Sequence, residues 1–452
     1  MLLRGLTLLA PRAALLTRLL PLPGLGAPRS LSSTCDTNAY DVVVVGAGIV
    51  GLAVARLLVL RHPDLLVGVL EKEAGVARHQ SGHNSGVIHS GLYYAPGSLK
   101  ARLCVRGAAL LYAYCEERHI PYRRCGKLVV AVERSEVPRL RALYERGLQN
   151  KVPDLRLLGP PDIQEREPYC RGLLALESPH TGIVDYKRVA EAYAEDFCEA
   201  GGVLHMGFEV NNIQLVGSGA QAPIEILSTG GACVQSRYVV TCAGLQSDRV
   251  AQLSGCSSQP SIVPFRGDYL VLRPEKAHLV RGNIYPTPNP RLPFLGVHFT
   301  PRMDGSVWLG PNAILAFKRE GYGFLDFNAR DTCDTVLNRG LVKLLFRHFN
   351  AGLAELLRSF SLAATIKDLQ RFIPEITVED VARGPSGVRA QALDGEGNLV
   401  DDFVFDGGVG ALGSRILHVR NAPSPAATSS LAISEVIVDE LEQKFEIMNH
   451  GG

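Results

Sequence analysis

The sequence predicts an α/β fold, and three consecutive features near its start indicate this class. Val42–Val45 is an unbroken β-branched run, as expected of a strand that is buried on both faces of a parallel sheet. Ile49–His62 has the pattern of a helix, and Leu65–Leu70 is a second buried strand that ends at Glu71. Strand, helix and strand together form a βαβ unit of about 30 residues.

Helices and strands continue to alternate along the rest of the chain. Further helices are predicted at Ser98–Arg118, Val137–Lys151, Tyr186–Ala200, residues 330–360 and Leu431–Phe445. Further strands are predicted at Val203–Val210, Pro223–Ser228, Val234–Thr241, Val297–Thr300, Ser306–Leu309 and Ile416–Val419. The region from Ile262 to Gly310 is antiparallel in character, so a second, mixed or antiparallel sheet is expected beside the parallel one.

Composition narrows the class of protein. A chain of 452 residues is long enough for two or more interleaved lobes. The net charge of +2 without any basic run gives no support to a nucleic-acid partner. No stretch reaches the roughly 18 uninterrupted apolar residues that span a bilayer, although peripheral contact with a membrane stays open. The ten cysteines contain no Cys-x-x-Cys pair and none lies near a histidine at zinc-ligand spacing, so we expect reduced thiols and no metal site.

Residues 1–38 have the composition of a targeting leader. They contain Arg4, Arg12, Arg18 and Arg29 but no acidic residue before Asp36. Leucines between the arginines allow an amphipathic helix, and serines follow. This pattern is typical of a mitochondrial transit peptide, whereas arginines and prolines interrupt what would be the apolar core of a secretory signal.

The turn of the βαβ unit carries the sequence Gly46-Ala47-Gly48-Ile49-Val50-Gly51, which matches a dinucleotide-binding fingerprint. The first glycine permits the tight turn, the second lets backbone approach a pyrophosphate, and the third allows close helix–strand packing. Glu71 follows at the end of the second strand, where a carboxylate accepts hydrogen bonds from ribose hydroxyls.

Longer segments resemble a known family. Glu71-Lys72-Glu73, Gly82-His83-Asn84-Ser85-Gly86, His89-Ser90-Gly91 and Val240-Thr241-Cys242-Ala243-Gly244 resemble the flavin-binding parts of the D-amino-acid oxidase and glycerol-3-phosphate dehydrogenase superfamily. A more specific resemblance, to the mitochondrial L-2-hydroxyglutarate dehydrogenases, extends from about residue 40 to 440. It is carried by residues 83–94, 264–269, 296–312, 372–375, 383–394 and 420–426.

The resemblance implies FAD as the cofactor, which we expect to be bound non-covalently. The expected FAD-binding residues are Gly46, Ala47, Gly48, Ile49, Gly51, Glu71, Lys72, Gly82, His83, Asn84, Ser85, Val210, Ala243, Gly244, Asn421, Ala422 and Pro423. A small-residue loop from Asn421 to Ser430 is expected to let the following helix point its positive end at the flavin.

The resemblance also implies oxidation of the 2-hydroxy diacid L-2-hydroxyglutarate to 2-oxoglutarate on the matrix side of the mitochondrion. Electrons would pass to a quinone or an electron-transfer flavoprotein, with peripheral contact to the inner membrane left open. Two alternatives remain at this point: a superfamily oxidoreductase for a glycerol phosphate or an amine, and a non-catalytic FAD-binding assembly factor for respiratory complexes.

Oxidation of an alcohol needs a base beside the hydroxyl, and histidine suits that task near neutral pH. His298, which precedes the turn at Pro301, is the preferred base, and His89 is the second candidate. His83 is expected to order its loop. For each of them a structural, hydrogen-bonded histidine is the alternative.

A diacid also needs cations, and the planar fork of arginine matches a carboxylate. Arg389 resembles the superfamily position that holds the α-carboxylate, and Arg302 is expected to bind the distal one. Arg266 is a third candidate, which Tyr269 and Lys318 can supplement. The alternative for each arginine is a surface ion pair.

The predicted domains are interleaved along the chain. Residues 39–96, 181–260 and 381–452 are assigned to a Rossmann-like FAD-binding domain, and residues 97–180 and 261–380 to a mixed or antiparallel substrate domain.

Overall fold

A computed structural model describes residues 39–217, 222–289, 296–323, 325–347 and 362–445. The predicted leader, residues 1–38, lies outside these ranges, as does the second half of the predicted helix at residues 330–360.

The first sheet is mostly parallel at its centre. The strand Ala39–Val45 lies between Val67–Glu71 on one side and Cys233–Thr241 on the other, and both pairings are parallel. The other strands of this sheet are Val203–Met206, Val210–Leu215, Ile224–Ser228, Val404–Gly407 and Ile416–Asn421. Val42 to Val44 are fully buried, because helices cover one face of these strands and a second apolar cluster covers the other.

The second sheet is mixed. Its longest strands, Ser261–Leu272 and Val381–Leu393, pair antiparallel over almost their whole length. Asn283–Pro286 pairs parallel with Lys127–Ala131 and antiparallel with His298–Pro301. The remaining strands are Arg156–Leu158, Leu174–Ser178, Val307–Gly310 and Ile314–Leu315. A small third sheet contains Val87–Ile88, Tyr122–Arg123 and Gly182–Val184.

Helices pack against these sheets. Their bounds are Ile49–Arg61, Leu99–Glu117, Val137–Gln149, Pro160–Arg166, Tyr186–Glu199, Ser247–Gln252, Ala329–Val336, Arg339–Arg347, Leu362–Gln370 and Ala426–Phe445. The predicted fold class, a Rossmann-like parallel sheet interleaved with a mixed sheet, is confirmed; the domain boundaries within it stay a prediction.

Three local predictions are wrong. The predicted strand Val203–Val210 ends at Met206, and a separate strand starts at Val210, because Gly207 has a φ of +70° and turns the chain. The last helix begins at Ala426 instead of Leu431, so most of the expected Asn421–Ser430 loop is strand end or helix. Eight cysteines of the described residues are free, but Cys233 is disulfide-bonded, so the expectation of reduced thiols does not hold for this residue.

Candidate active site

One cavity of about 560 Å³ is lined by residues from both sheets. Its lining begins at the glycine turn, with Gly48, Ile49 and Ser81, and runs to the second sheet, where His298 and Arg389 lie. Its volume is in the range that small-molecule sites occupy, roughly 300–1,000 Å³. The dinucleotide fingerprint and the candidate substrate residues therefore line the same cavity.

The glycine turn has the geometry that the fingerprint requires. Gly46 has a φ of +107°, which L side chains rarely adopt. A Cβ atom on Gly51 would lie 2.0 Å from the carbonyl oxygen of Gly46, so the helix can approach the strand only because residue 51 is glycine. The carboxylate of Glu71 accepts from the Ala47 N–H at 2.8 Å, which fixes the turn beside the end of the second strand.

His298 is held in one tautomer. Its Nδ1 lies 3.0 Å from the carbonyl oxygen of Gly296, and because a carbonyl only accepts, Nδ1 donates and Nε2 keeps its lone pair. The imidazole is 5% exposed and stacks on Tyr285 with 4.1 Å between ring centroids. Burial lowers the pKa of His298 to about 3, so the ring is neutral at physiological pH.

His89 lies at the same part of the cavity. Its Nδ1 is buried without a hydrogen-bond partner among the described residues. Burial, followed by the charges of Lys127, His298 and Arg389, holds the pKa of His89 well below its usual range. The hydroxyl of Tyr93, also in the lining, is buried and equally unpartnered within the described chain. Two such atoms in one cavity indicate that a ligand completes their hydrogen bonding.

Arg389 is the predicted substrate arginine that lines the cavity, and Arg420 is a second arginine of the lining. It lies on the strand Val381–Leu393, opposite Phe265 of the neighbouring strand, and its exposed side chain contributes to the lining. Its positive charge contributes to the lowered pKa values of both His89 and His298, so it lies in their electrostatic neighbourhood.

Comparison with known proteins decides the family. A family model described as FAD dependent oxidoreductase matches residues 41–440. The chain is 62% identical over 432 residues to the mitochondrial L-2-hydroxyglutarate dehydrogenase of Homo sapiens, with 93% of each chain covered. It is 46% identical to the protein of that name from Dictyostelium discoideum, over 94% of this chain and 98% of the relative. The chain belongs to the L-2-hydroxyglutarate dehydrogenase family of FAD-dependent oxidoreductases.

Solved structures show the same fold at much lower identity. An L-α-glycerophosphate oxidase from Mycoplasma pneumoniae, reduced with dithionite and with FAD bound, aligns with a TM-score of 0.70 at 21% identity, covering 90% of this chain and 95% of that one. A glycine oxidase from Geobacillus kaustophilus aligns with a TM-score of 0.66 at 19% identity, with 90% and 95% covered. At these identities the likeness shows the fold alone.

The cavity of this family member fits FAD, its family's cofactor. Of the residues expected to bind FAD, those that line the cavity are Gly48, Ile49, His83, Asn84, Ser85, Gly244, Asn421, Ala422 and Pro423. The helix that begins at Ala426 points its N-terminal end into the lining, where backbone N–H groups and the helix dipole favour negative charge. The early start of this helix thus places its positive end nearer the cavity than the sequence predicted.

The other expected FAD residues lie outside the lining. Four of them, Gly46, Ala47, Gly51 and Glu71, form or support the glycine turn without lining the cavity. Lys72 pairs with Glu73 and Glu320, at 2.5 and 2.8 Å. Val210 and Ala243 pack against the apolar cluster on one face of the parallel sheet. Gly82 approaches the Ala77 carbonyl so closely that a Cβ would lie 2.5 Å from its oxygen.

Two predicted substrate arginines are engaged elsewhere. The Nη1 of Arg302 donates to the Asn84 carbonyl at 3.1 Å, and its guanidinium lies 4.1 Å above the ring of Trp308. Arg266 is buried and donates to the Gly323 carbonyl at 2.7 Å. Neither lines the cavity, whereas Tyr269, named as a supplement, does; Lys318 does not. For Arg266 the alternation of the strand decides this, because neighbouring residues point to opposite faces and a sequence does not show which face meets the site. Arg302 lies in the turn after its strand, where its side chain is held by the Asn84 carbonyl.

Sequence reasoning missed Lys127 and Tyr285. Tyr285 lines the cavity and stacks on His298, and Lys127 is 2% exposed with its Nζ 4.0 Å from the centre of the Tyr285 ring. Nothing in Lys127-Leu-Val-Val-Ala131 marks the lysine as buried, since a lysine at the start of a strand is usually solvated.

Proposed function

We propose that this protein oxidises L-2-hydroxyglutarate to 2-oxoglutarate with FAD as the hydride acceptor. The observation that carries the proposal is the meeting, in one cavity, of the FAD-binding turn with a neutral histidine and an arginine from the second sheet. The 62% identity to a relative of that name supports the choice of substrate.

His298 acts as the base. Its Nε2 lone pair is available because Nδ1 is used by Gly296, so it accepts the proton of the substrate 2-hydroxyl while FAD, when bound, accepts the hydride from the same carbon. The low pKa of the buried ring rises when a dianion binds nearby, since opposite charge favours the imidazolium. The site thus binds substrate with the base neutral and makes it more basic as the anion enters.

Arg389 holds the α-carboxylate. A guanidinium binds a carboxylate through two parallel N–H donors, and such a grip orients the carbon that loses hydride. The sequence predicts Arg302 as the residue that binds the distal carboxylate. Because the Arg302 guanidinium lies over the ring of Trp308, its role has less structural support than that of Arg389.

Anaerobic flavin bleaching tests this function. The purified yellow protein should be bleached by the L enantiomer of 2-hydroxyglutarate, and the D enantiomer is the matched control. Bleaching by glycerol 3-phosphate or an N-methyl amino acid instead would favour another superfamily activity. A flavin that no substrate bleaches would favour a non-catalytic assembly factor.

We further propose that the electron acceptor is a quinone reached at a membrane surface. In the described part of the chain no helix has the length and apolarity to cross a bilayer. The helix Arg339–Arg347, however, exposes Val342, Leu345 and Phe346 on one face, and Leu337 before it is 76% exposed. A helix that is apolar on one exposed face and otherwise basic is typical of peripheral binding to a bilayer.

Charge selects the partner of this surface. The helix carries Arg339, Lys343 and Arg347 but no acidic residue, which suits anionic lipid headgroups. Lys343 also reaches Glu396 at 2.9 Å, so the two arginines contribute most of the attraction. Sedimentation with phosphatidylglycerol vesicles should retain the wild type and release a Phe346→Glu variant, while Leu173→Glu, at an exposed leucine elsewhere, should behave as wild type. If the wild type is released from these vesicles as readily as the Phe346→Glu variant, a soluble electron-transfer flavoprotein is favoured as the acceptor instead.

We propose mitochondrial localisation, on the matrix side. The Homo sapiens and Dictyostelium discoideum relatives are named mitochondrial, and residues 1–38 have the composition of a transit peptide. A fusion of residues 1–40 to a soluble reporter should reach mitochondria. Entry of that reporter into the secretory pathway would refute the proposal.

A further inference from the structure

Lys127 is a buried cation without a counter-charge. It is 2% exposed, and it forms no ion pair with any carboxylate of the described residues. Lys100, also buried, differs because its Nζ reaches Asp401 at 2.8 Å. Burying an ammonium without a partner destabilises the folded protein, so a lysine in this position calls for a functional reason.

The Lys127 ammonium is coupled to His298 through one aromatic ring. Its Nζ lies 4.0 Å from the centre of the Tyr285 ring and 5.3 Å from that of Tyr93. His298 stacks on Tyr285 with an angle of 28° between the rings. Because the stacked imidazole covers one face of the Tyr285 ring, the Lys127 ammonium occupies the other face. The Tyr285 ring therefore lies between the Lys127 ammonium and the His298 imidazole, an arrangement called the sandwich below.

The backbone holds this arrangement. The strand Lys127–Ala131 pairs in parallel with Asn283–Pro286, and that strand pairs with His298–Pro301. All three residues of the sandwich thus stand on adjacent strands of one sheet, which fixes their separation better than a loop would.

We propose that Lys127 is a positioning residue for the proposed oxidation, which holds His298 in place through Tyr285 and keeps its imidazole neutral until the substrate dianion arrives. The inference rests on the proposed function of His298 as the base. Burial is the main cause of the lowered pKa values of His298 and His89, and the positive charge of Lys127 lowers both further, which supports the role. Burial lowers the pKa of Lys127 itself to about 7, so its charge is itself sensitive to pH.

Other titratable or charged groups also surround these residues and must be held constant in a test. They are His89, Arg389, Tyr93, Tyr269, Cys104 and Cys125. The buried tyrosines and Cys104 have raised pKa values, so they stay neutral. His298, His89 and Lys127 are therefore the groups whose changes of protonation the pH-dependent measurements below detect.

Lys127→Met tests the proposal in the FAD-loaded protein. The rate of flavin reduction should fall by about 10-fold, less than the 10² to 10⁴ that loss of the base itself costs, because His298 is still present. The acid limb of the kcat/KM profile should move to higher pH, because His298 protonates more readily without the neighbouring charge. The melting temperature should stay equal or rise, since methionine is of similar length and removes an unpaired buried charge.

Matched variants separate the role of the charge from that of the ring. Lys127→Arg keeps the charge and should leave the acid limb in place, and Tyr285→Leu should lower kcat without moving that limb. Lys276→Met, at a half-exposed lysine that pairs with Asp380, is the control for the same chemical change. A Lys127→Met protein that unfolds or melts lower, or one with wild-type kinetics, overturns the proposal in favour of a structural lysine.

A titration without substrate separates this inference from the proposed function. The ring ¹³C signal of His298, assigned with His298→Gln, should report a higher pKa in Lys127→Met than in wild type. An unchanged His298 pKa refutes the coupling even if the diacid bleaches the flavin. A raised pKa in a protein that does not oxidise the diacid upholds the coupling and refutes the substrate.

Discussion

The FAD-binding turn takes its residues from one continuous segment, Gly46 to Glu71. The chamber around His298, by which we mean the group of Lys127, Tyr285, His298 and Arg389, is assembled from distant strands. In the turn, contacts such as that of Glu71 with the Ala47 N–H join residues within one βαβ unit. In the chamber, Lys127, Tyr285 and Arg389 come together only because their strands belong to one sheet. Local sequence thus specifies the first region, and sheet register specifies the second.

The two regions should also fail differently when mutated. A change in the turn removes the cofactor and with it all activity. A change in the chamber leaves FAD bound and alters a rate, an affinity or a pH profile. Four predictions, from the largest effect to the smallest, test this difference.

Valine at either of two fingerprint glycines should abolish FAD retention. In Gly51→Val the new Cβ meets the Gly46 carbonyl oxygen, so the melting temperature should also fall sharply. In Gly48→Val the nearest atom to the new Cβ is Ser81 Oγ at 3.3 Å, so the fold should persist while the side chain occupies the space of the pyrophosphate. The ratio of flavin to protein absorbance after gel filtration, together with a thermal melt, measures both effects.

The matched control is Gly395→Val, because a Cβ at Gly395 has no atom within 4 Å. That variant should keep its FAD and its melting temperature. A Gly48→Val protein that retains stoichiometric FAD would remove the fingerprint argument altogether.

His298→Ala should lower kcat by about 10² to 10⁴, the usual cost of losing a general base. FAD content and binding of 2-oxoglutarate should be retained, since the residue lies at the far end of the cavity from the glycine turn. Stopped-flow flavin reduction and titration with the product separate the two quantities. Near-normal turnover would transfer the role of base to His89, whose Nδ1 has no hydrogen-bond partner in the described part of the chain.

The sequence predicted the parallel core and the dinucleotide turn from local physics, because buried β-branched runs and glycine spacing leave few alternatives. It predicted His298 from the need for a base beside the hydroxyl and Arg389 through resemblance, and both line the cavity. Arg302 and Arg266 are oriented away from that lining, and Lys127 was missed. Arg266 and Lys127 share a cause: which face of a strand meets the cavity depends on its pairing partners, which a single sequence does not reveal. Arg302 lies in the turn after its strand, and its contact with Asn84 joins parts of the chain that are distant in sequence.

The two arginines should differ in their effect on substrate affinity. Arg389→Met removes a charge-assisted contact of about 1.5–3 kcal/mol, so KM should rise by roughly 10- to 150-fold for both the diacid and a 2-hydroxy monoacid of similar length. Arg302→Met should raise KM only for the diacid if Arg302 binds the distal carboxylate. Steady-state kinetics with both substrates across the two variants makes the comparison.

The position of Arg302 sharpens this test. If its work is to support Asn84 and pack on Trp308, its loss should weaken both substrates equally and also lower FAD content. Equal losses for both substrates with both variants would refute the two-point grip.

The smallest effect is expected where the chain just after the strand Ile314–Leu315 of the second sheet contacts the FAD end of the cavity. Tyr322 stacks on His83 with 3.9 Å between centroids, and His83 lines the FAD end of the cavity. Burial lowers the pKa of His83, so the pair is a neutral aromatic stack, of a kind that contributes about 0.5–1.5 kcal/mol. Tyr322→Leu keeps an apolar side chain but removes the stack, so the dissociation constant of FAD should rise by roughly 2- to 12-fold with kcat unchanged.

Tyr169→Leu is the matched control, since Tyr169 also contacts a histidine, His278, at 5.7 Å, and neither of those residues lines the cavity. Acid precipitation should first release all colour to the supernatant, because an affinity is defined only for a non-covalent flavin. An unchanged FAD affinity in Tyr322→Leu would mean that the turn binds FAD without help from the second region, and the two regions would then be independent in cofactor binding as well as in sequence.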